Sequence, residues 1–198
     1  MRRDSLVVCT ITLLWLSLPS TAGAQERAGF WGGFGGGWGS ARVTANELPG
    51  DDRAGSGVAN LRLGWTLGER VLLGGEFDFW RKNQELTPGF DANFNIYNLS
   101  GILVYYPGAR FFLKGGAGAS YMNVDFNQSG SNIQVELGSG LGLIFGAGYD
   151  VPLTPNVSLT PAVSVWSGRL GTLDYQGRTL YTDWKQNVFD ITLGLTFH

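Results

Sequence analysis

The stretch Asn60-Leu61-Arg62-Leu63-Gly64-Trp65-Thr66-Leu67 decides how this chain folds. Successive side chains of an extended strand point to opposite sides. Leu61, Leu63, Trp65 and Leu67 therefore share one face, and Asn60, Arg62, Gly64 and Thr66 share the other. Gly68-Glu69-Arg70 follows with turn chemistry, and the alternation resumes from Val71 to Trp80. There Val71, Leu73, Gly75, Phe77 and Phe79 oppose Leu72, Gly74, Glu76, Asp78 and Trp80. The two segments read as neighbouring strands, each apolar on one side only.

Working outward, the same period appears in 111–122 and 188–197, and less cleanly in 30–40, 97–105, 135–149 and 157–165. That predicts eight strands. Pro161 has no N–H to give to a ladder, so it is expected to mark a bulge or a mis-assigned face. The connections 68–70, 107–110 and 151–156 are short. The connections 41–57, 82–92, 123–133 and 168–185 are long and polar. Short turns at one end and long loops at the other define an all-β fold, an eight-stranded antiparallel up-and-down barrel.

Composition removes several other classes. The 198 residues include 31 Gly but show no G-X-Y period, which excludes collagen. With 43% hydrophobic and 13% aromatic residues the chain is too apolar for disorder. A net charge of −2 leaves no basic footprint for nucleic acid, and one Cys builds no disulfide framework.

The first 24 residues stand apart. Arg2 and Arg3 precede an apolar run from Leu6 to Leu18, Pro19 breaks it, and Ala22-Gly23-Ala24 offers small residues for cleavage. The run is shorter than the roughly 20 residues a membrane helix needs, so it reads as a secretory signal peptide. Cleavage after Ala24 leaves 25–198 as one barrel domain.

Two barrels fit this pattern: a soluble lipocalin-like one with its apolar face inside, and a transmembrane one with its apolar face outside. The polar face is narrow and full of glycine, which suits a cramped lumen. Trp65, Tyr105, Tyr149 and Phe197 all stand at strand ends on the apolar face, as an interfacial aromatic girdle would. Charges concentrate in the long connections. The transmembrane barrel is the reading adopted. Arg62, Lys114, Glu76, Asp78, Glu136 and Asp190 then point inward as a lumen ion network. A three-residue turn at 68–70 pairs Leu67 with Val71 and Arg62 with Glu76, and a slip of two residues gives Arg62 to Asp78 instead.

The whole segment after the signal resembles the small eight-stranded outer-membrane barrels of Gram-negative bacteria, the OmpA/OmpX-like, porin-family class. The resemblance rests on the export signal, the strand count, the alternation of short and long connections, and the ending Phe189-Asp190-Ile191-Thr192-Leu193-Gly194-Leu195-Thr196-Phe197-His198. In that family a terminal aromatic is read by the insertion machinery; in this chain the aromatic is penultimate. The resemblance implies a bacterial outer-membrane location, with outer-membrane lipid and the insertion machinery as partners and a monomeric state. It does not identify an extracellular partner.

Chemistry is sparse. No phosphate-cradling glycine motif occurs. The single His is the last residue, which leaves a Ser-His-Asp site unsupported. Glu47, Asp51, Asp52, Asp174 and Asp183 lie in the long connections without EF-hand spacing. Tyr181 and Trp184 read as contact or interfacial anchors. No catalytic, metal-binding or cofactor-binding residue is assigned. The expectation is a non-enzymatic barrel presenting four extracellular loops in a structural or adhesive role, with its lumen plugged. A lipid-modifying enzyme and a soluble ligand-binding barrel are the alternatives.

Overall fold

A computed structural model describes residues 27–44, 52–87, 90–128, 131–175 and 178–198, with side chains at 52, 85–90, 126–137 and 172–183 left outside the description. The expected signal segment lies outside the described residues. The strands are β1 (Phe30–Thr44), β2 (Asp52–Gly68), β3 (Val71–Thr87), β4 (Phe90–Tyr105), β5 (Phe111–Gln128), β6 (Ser131–Tyr149), β7 (Val151–Thr154), β8 (Val157–Tyr175) and β9 (Arg178–Phe197). All pairings are antiparallel, and β1 pairs with β9 to close the sheet. The four-residue β7 continues β6 against β8 in one register, since Gly148 faces Ala162 and Val151 faces Leu159. The barrel therefore has eight staves.

Its dimensions follow from the ladders. A path starting at Gly33 runs through Arg62, Glu76, Ser100, Gly118, Gly142, Gly168 and Gln186, and returns to β1 at Val43, ten residues higher. Eight strands with a stagger of ten tilt by roughly 40° and enclose a backbone cylinder of about 8 Å radius. Such a tight wall brings inward-facing backbone close to its neighbours. A Cβ added at Gly118 would strike the Leu99 carbonyl, and one at Gly140 the Arg169 carbonyl. Glycine on the inner face is thus a condition of the curvature.

The outward face is apolar: Leu61, Leu63, Leu99, Phe145, Ile191 and Leu193 are all exposed. The core sits inside the barrel, where Trp31, Leu72, Trp80, Phe112, Ile144, Trp166 and Val188 are buried.

The structure revises three local expectations. The connections foreseen at 41–57, 82–92, 123–133 and 168–185 are largely strand, because β1–β2, β3–β4, β5–β6 and β8–β9 continue as paired ribbons above the apolar band. Pro161 produces no register shift against β9, where it faces Leu193. It stands where the β6–β8 ladder is interrupted, between the pairs Gly148–Ala162 and Val151–Leu159. The turn after β2 carries a bulge, so Gly68 faces Val71, while Arg62 still faces Glu76. The β5–β6 ladder shifts register at Met122/Asn123, where Gly138 takes φ +140° and Glu136 pairs with Asn123. The lumen place expected for Glu136 falls on a side chain outside the described residues.

Candidate functional site

The interior is layered. At the lower mouth, the end with the short turns, the carboxylate of Asp150 is a hub. It accepts hydrogen bonds from Tyr106 Oη at 2.7 Å and Thr160 Oγ1 at 2.8 Å. Arg27 Nη2 lies 3.9 Å from it and His198 Nε2 3.7 Å, ion-pair distances too long for direct hydrogen bonds. The Arg27 guanidinium also stacks 3.6 Å over the Tyr106 ring and donates to Ala109 O at 2.5 Å. One carboxylate thus holds the residues just before β1 and just after β9. The His198 side chain is buried against Asp150 in the narrow mouth. Burial alone would raise the Asp150 pKa. His198, Tyr106 and Thr160 outweigh burial and hold it below the ordinary carboxylate value. Burial, then the neighbouring Asp150 charge, pushes the Tyr106 hydroxyl well above its ordinary value.

Above the hub lies a charged layer. Arg62, Glu76, Asp78, Lys114 and Asp190 are all buried. Lys114 Nζ pairs with Glu76 Oε1. Asn98 Nδ2 donates to Asp78 Oδ2 at 3.3 Å and to Ser100 Oγ at 3.0 Å, and Trp166 Nε1 donates to Asp190 Oδ2 at 2.9 Å. Arg62 does not take the expected carboxylate. Its guanidinium lies 5.9 Å over the Phe112 ring, and its Nε has no hydrogen-bond partner. The layer holds three acids and two bases.

Apolar layers bound it above and below. Trp31, Leu72, Val104 and Phe112 lie near the hub, and Val58, Trp80, Ile96, Trp166 and Val188 lie over the charges. Trp184 belongs to the upper layer as a buried lumen residue, and it is not an exposed anchor. The sequence signal for these layers was visible in Leu72, Trp80, Phe112, Met122 and Val188, apolar residues standing on the polar phase.

The outer wall carries two bands. Trp65, Tyr105, Tyr149 and Phe197 all face outward and are exposed. Going round the barrel, level positions drop by the ten-residue stagger shared over eight strands. Tyr105 sits two ladder positions below Trp65 across two strands, as Tyr149 does relative to Tyr105. These steps match the tilt, so the aromatics share one height. A basic arc stands above them. Arg42 faces Arg53 and Arg169 faces Lys185, on the outward phase of β1, β2, β8 and β9, and Arg81 follows on β3. Arg53 and Trp65 are twelve residues apart on β2, as are Lys185 and Phe197 on β9. At about 2.5 Å of height per tilted residue, arc and aromatics are separated by roughly 30 Å, the thickness of a bilayer's hydrocarbon core.

Among the described residues no group of three His, Cys, Asp or Glu side chains is placed to hold a metal. Glu47 and Asp51 lie outside the described residues; Asp52, Asp174, Asp183 and Tyr181 lie on strand ends whose side chains are not described.

No curated protein matches this sequence. Among solved structures, the chain is similar to the attachment invasion locus protein Ail of Yersinia pestis, with 17% identity and a TM-score of 0.58 over 87% of this chain and 100% of that one. Ail in complex with the heparin analogue sucrose octasulfate gives 19% identity and a TM-score of 0.56, covering 85% and 99%. Neisserial surface protein A gives 15% and 0.57, covering 86% and 97%. These likenesses establish the fold. The family model of the outer membrane protein beta-barrel domain matches residues 10–197, and with an apolar wall outside and a polar layer inside, the chain belongs to that family of bacterial outer-membrane barrels.

Proposed function

We propose that the chain is a non-enzymatic outer-membrane protein whose barrel is closed to flow and whose four upper ribbon ends serve structural or adhesive contacts outside the cell. In this reading the signal peptide is removed after Ala24, the lower mouth faces the periplasm, and the aromatics Trp65, Tyr105, Tyr149 and Phe197 anchor the inner edge of the apolar band.

The observation that carries the closed barrel is the layering of the lumen. A tilted wall of about 8 Å radius leaves room for side chains and little else. Trp31 and Phe112 lie below the charged layer and Trp80 and Trp166 above it, all buried. The absence of catalysis is supported by the position of the single His, which is bound to Asp150 at the lower mouth. A hydrolase acting on outer-leaflet lipid needs its base at the opposite end. The adhesive role draws on the attachment protein Ail, whose fold this chain shares.

Planar-bilayer recording of the folded protein tests the closed barrel. Silence or rare small events are expected. Large, steady, porin-like steps would overturn it.

A further inference from the structure

The outer wall is uneven in charge. Strands β4, β5 and β6 carry one base among them, Lys114, and it is held in the lumen against Glu76. On their outward phase Asp91 is exposed and Asp125 half-exposed. Three rungs stand one above another on this side. Tyr97 faces Tyr121, Asn95 faces Asn123 above them, and Asn93 faces Asp125 above those. Asn95 Nδ2 donates to Asp125 Oδ2 at 2.9 Å, which ties the upper two rungs together. Arg81, opposite Asn95 on β3, donates from its Nε to Asn83 Oδ1 at 3.2 Å.

The wall is recessed beside these rungs. Tyr97, Tyr121, Met122, Asn123, Gly138 and Ser139 line a hollow of about 350 Å³, and pockets for small organic ligands begin at roughly 300 Å³. The hollow lies at the bulge of β6, where Gly138, at φ +140°, brings no side chain opposite Met122. The Tyr97 ring is stacked 5.1 Å from Phe79 on the neighbouring stave, which fixes it. Asn123 Oδ1 is a buried acceptor without a hydrogen-bond partner. Tyr97 and Asn93 lie eight and twelve residues above Tyr105 on β4, roughly 20 and 30 Å up the wall. The hollow therefore straddles the upper edge of the hydrocarbon, with rings below and acceptors above.

We propose that this hollow is a seat for an alkylated ammonium group, held on the Tyr97 and Tyr121 rings with Asn123 Oδ1 and the Asp125 carboxylate as its counter-groups. The proposal rests on the membrane orientation given above. Each ring face attracts a cation by about 0.5–1 kcal/mol when partly exposed. The carboxylate attracts the same charge, and the one base on these three staves is engaged inside the barrel. A neutral sugar would gain nothing from that charge, and an anion would be repelled by it. Two sources present an alkylated ammonium at this height: a zwitterionic lipid headgroup and a free amine outside the cell.

The test reads Met122, which lines the hollow and is the single methionine once residues 1–24 are removed. The exported chain, labelled with carbon-13 at the methionine methyl, is folded in non-ionic detergent and titrated with tetramethylammonium, phosphocholine, glucose or sodium chloride. Folding is scored separately by the mobility difference between boiled and unboiled samples. A saturable shift of the Met122 methyl signal with the first two, and none with the others, is expected. The double change Tyr97→Leu, Tyr121→Leu should weaken binding roughly tenfold, and Asp125→Asn should weaken it as well. Tyr121→Phe, which keeps the ring, and Tyr149→Leu at the lower mouth should leave it unchanged. Phosphatidylglycerol nanodiscs doped with phosphatidylcholine separate the sources. A shift on doping assigns the lipid headgroup, and a shift with the soluble cations alone assigns the free amine. No response of the folded chain to either cation, an equal response to glucose or sodium chloride, or full binding by the folded double variant overturns the seat and leaves the membrane reading standing. Failure of the unaltered chain to insert into any nanodisc overturns both.

Discussion

Arg62 and Glu76 face each other across the β2–β3 ladder, yet the carboxylate of Glu76 is paired with Lys114, which reaches it from β5. Register brings residues opposite one another, and reach and shape decide which of them meet. The Arg62 guanidinium turns toward Phe112, and the shorter, more flexible ammonium takes the carboxylate.

Lys114 is accordingly the more critical base. Lys114→Met strands a fully buried carboxylate and should cost about 3–5 kcal/mol. Arg62→Ala should cost less, because among the described residues none forms an ion pair with it. The double change Lys114→Met, Glu76→Leu should recover most of the loss. Urea unfolding in lipid vesicles, followed by tryptophan fluorescence, measures all three. Equal losses from Lys114→Met and Arg62→Ala would contradict the assigned pairing.

Leu99 is 55% exposed, on the outward face between the aromatics and the basic arc. Leu99→Arg places a charge in hydrocarbon and should cost about 2–4 kcal/mol, whereas Trp65→Arg at the lower edge should cost about 0–1 kcal/mol from charge alone. The same unfolding assay gives the comparison. In detergent micelles, which adapt to the charge, the gap between the two should narrow.

The Asp150 hub makes the lower mouth acid-sensitive. Its pKa is depressed in the folded state, so the stabilisation is fully present above the unfolded carboxylate value of about 3.9 and fades as pH falls through the lower folded value. Proteolysis of the segment around Arg27, followed against pH, should accelerate only below about pH 4. Asp150→Asn should make that segment labile at neutral pH and remove the acid step.

Gly138 holds φ +140° at the bulge of β6, with Leu170 O 3.4 Å from where a Cβ would stand. Gly138→Ala should cost about 1–3 kcal/mol. Gly57→Ala, with open space and ordinary φ, should be nearly neutral in the same unfolding experiment.

The parts of this fold that were legible in sequence are those the bilayer constrains. Between the aromatics and the arc every outward position must be apolar, so Leu61-Leu63-Trp65 and Phe189-Ile191-Leu193 announce their strands. Above the arc that demand ends. Lys82, Asn83 and Gln84 pair with Phe94, Asn93 and Ala92 without any alternation to show it, and the strand ends were read as loop. The bulge at Gly138 shifts the β5–β6 register and leaves no mark in the hydrophobic pattern beyond a glycine among many. The partner of Glu76 lay two staves away, at a distance in the chain that only the closed barrel shortens. Arg27 carried no signal at all, since its role exists only once Asp150 and Tyr106 have been brought to the mouth.

The glycine run of β1 bears on the order of assembly. The first stave offers Gly32, Gly33, Gly35, Gly36, Gly37 and Gly39 to the last, so the β1–β9 joint is held chiefly by main-chain bonds with few side chains to reinforce it. It is also the joint made between the two ends of the chain, which form last when a sheet grows from neighbouring hairpins. The barrel thus has a line of least resistance, and Asp150 spans its lower end like a clasp by gripping Arg27 on one side and His198 on the other. A chain lacking its final residue would keep every strand and lose one half of that clasp.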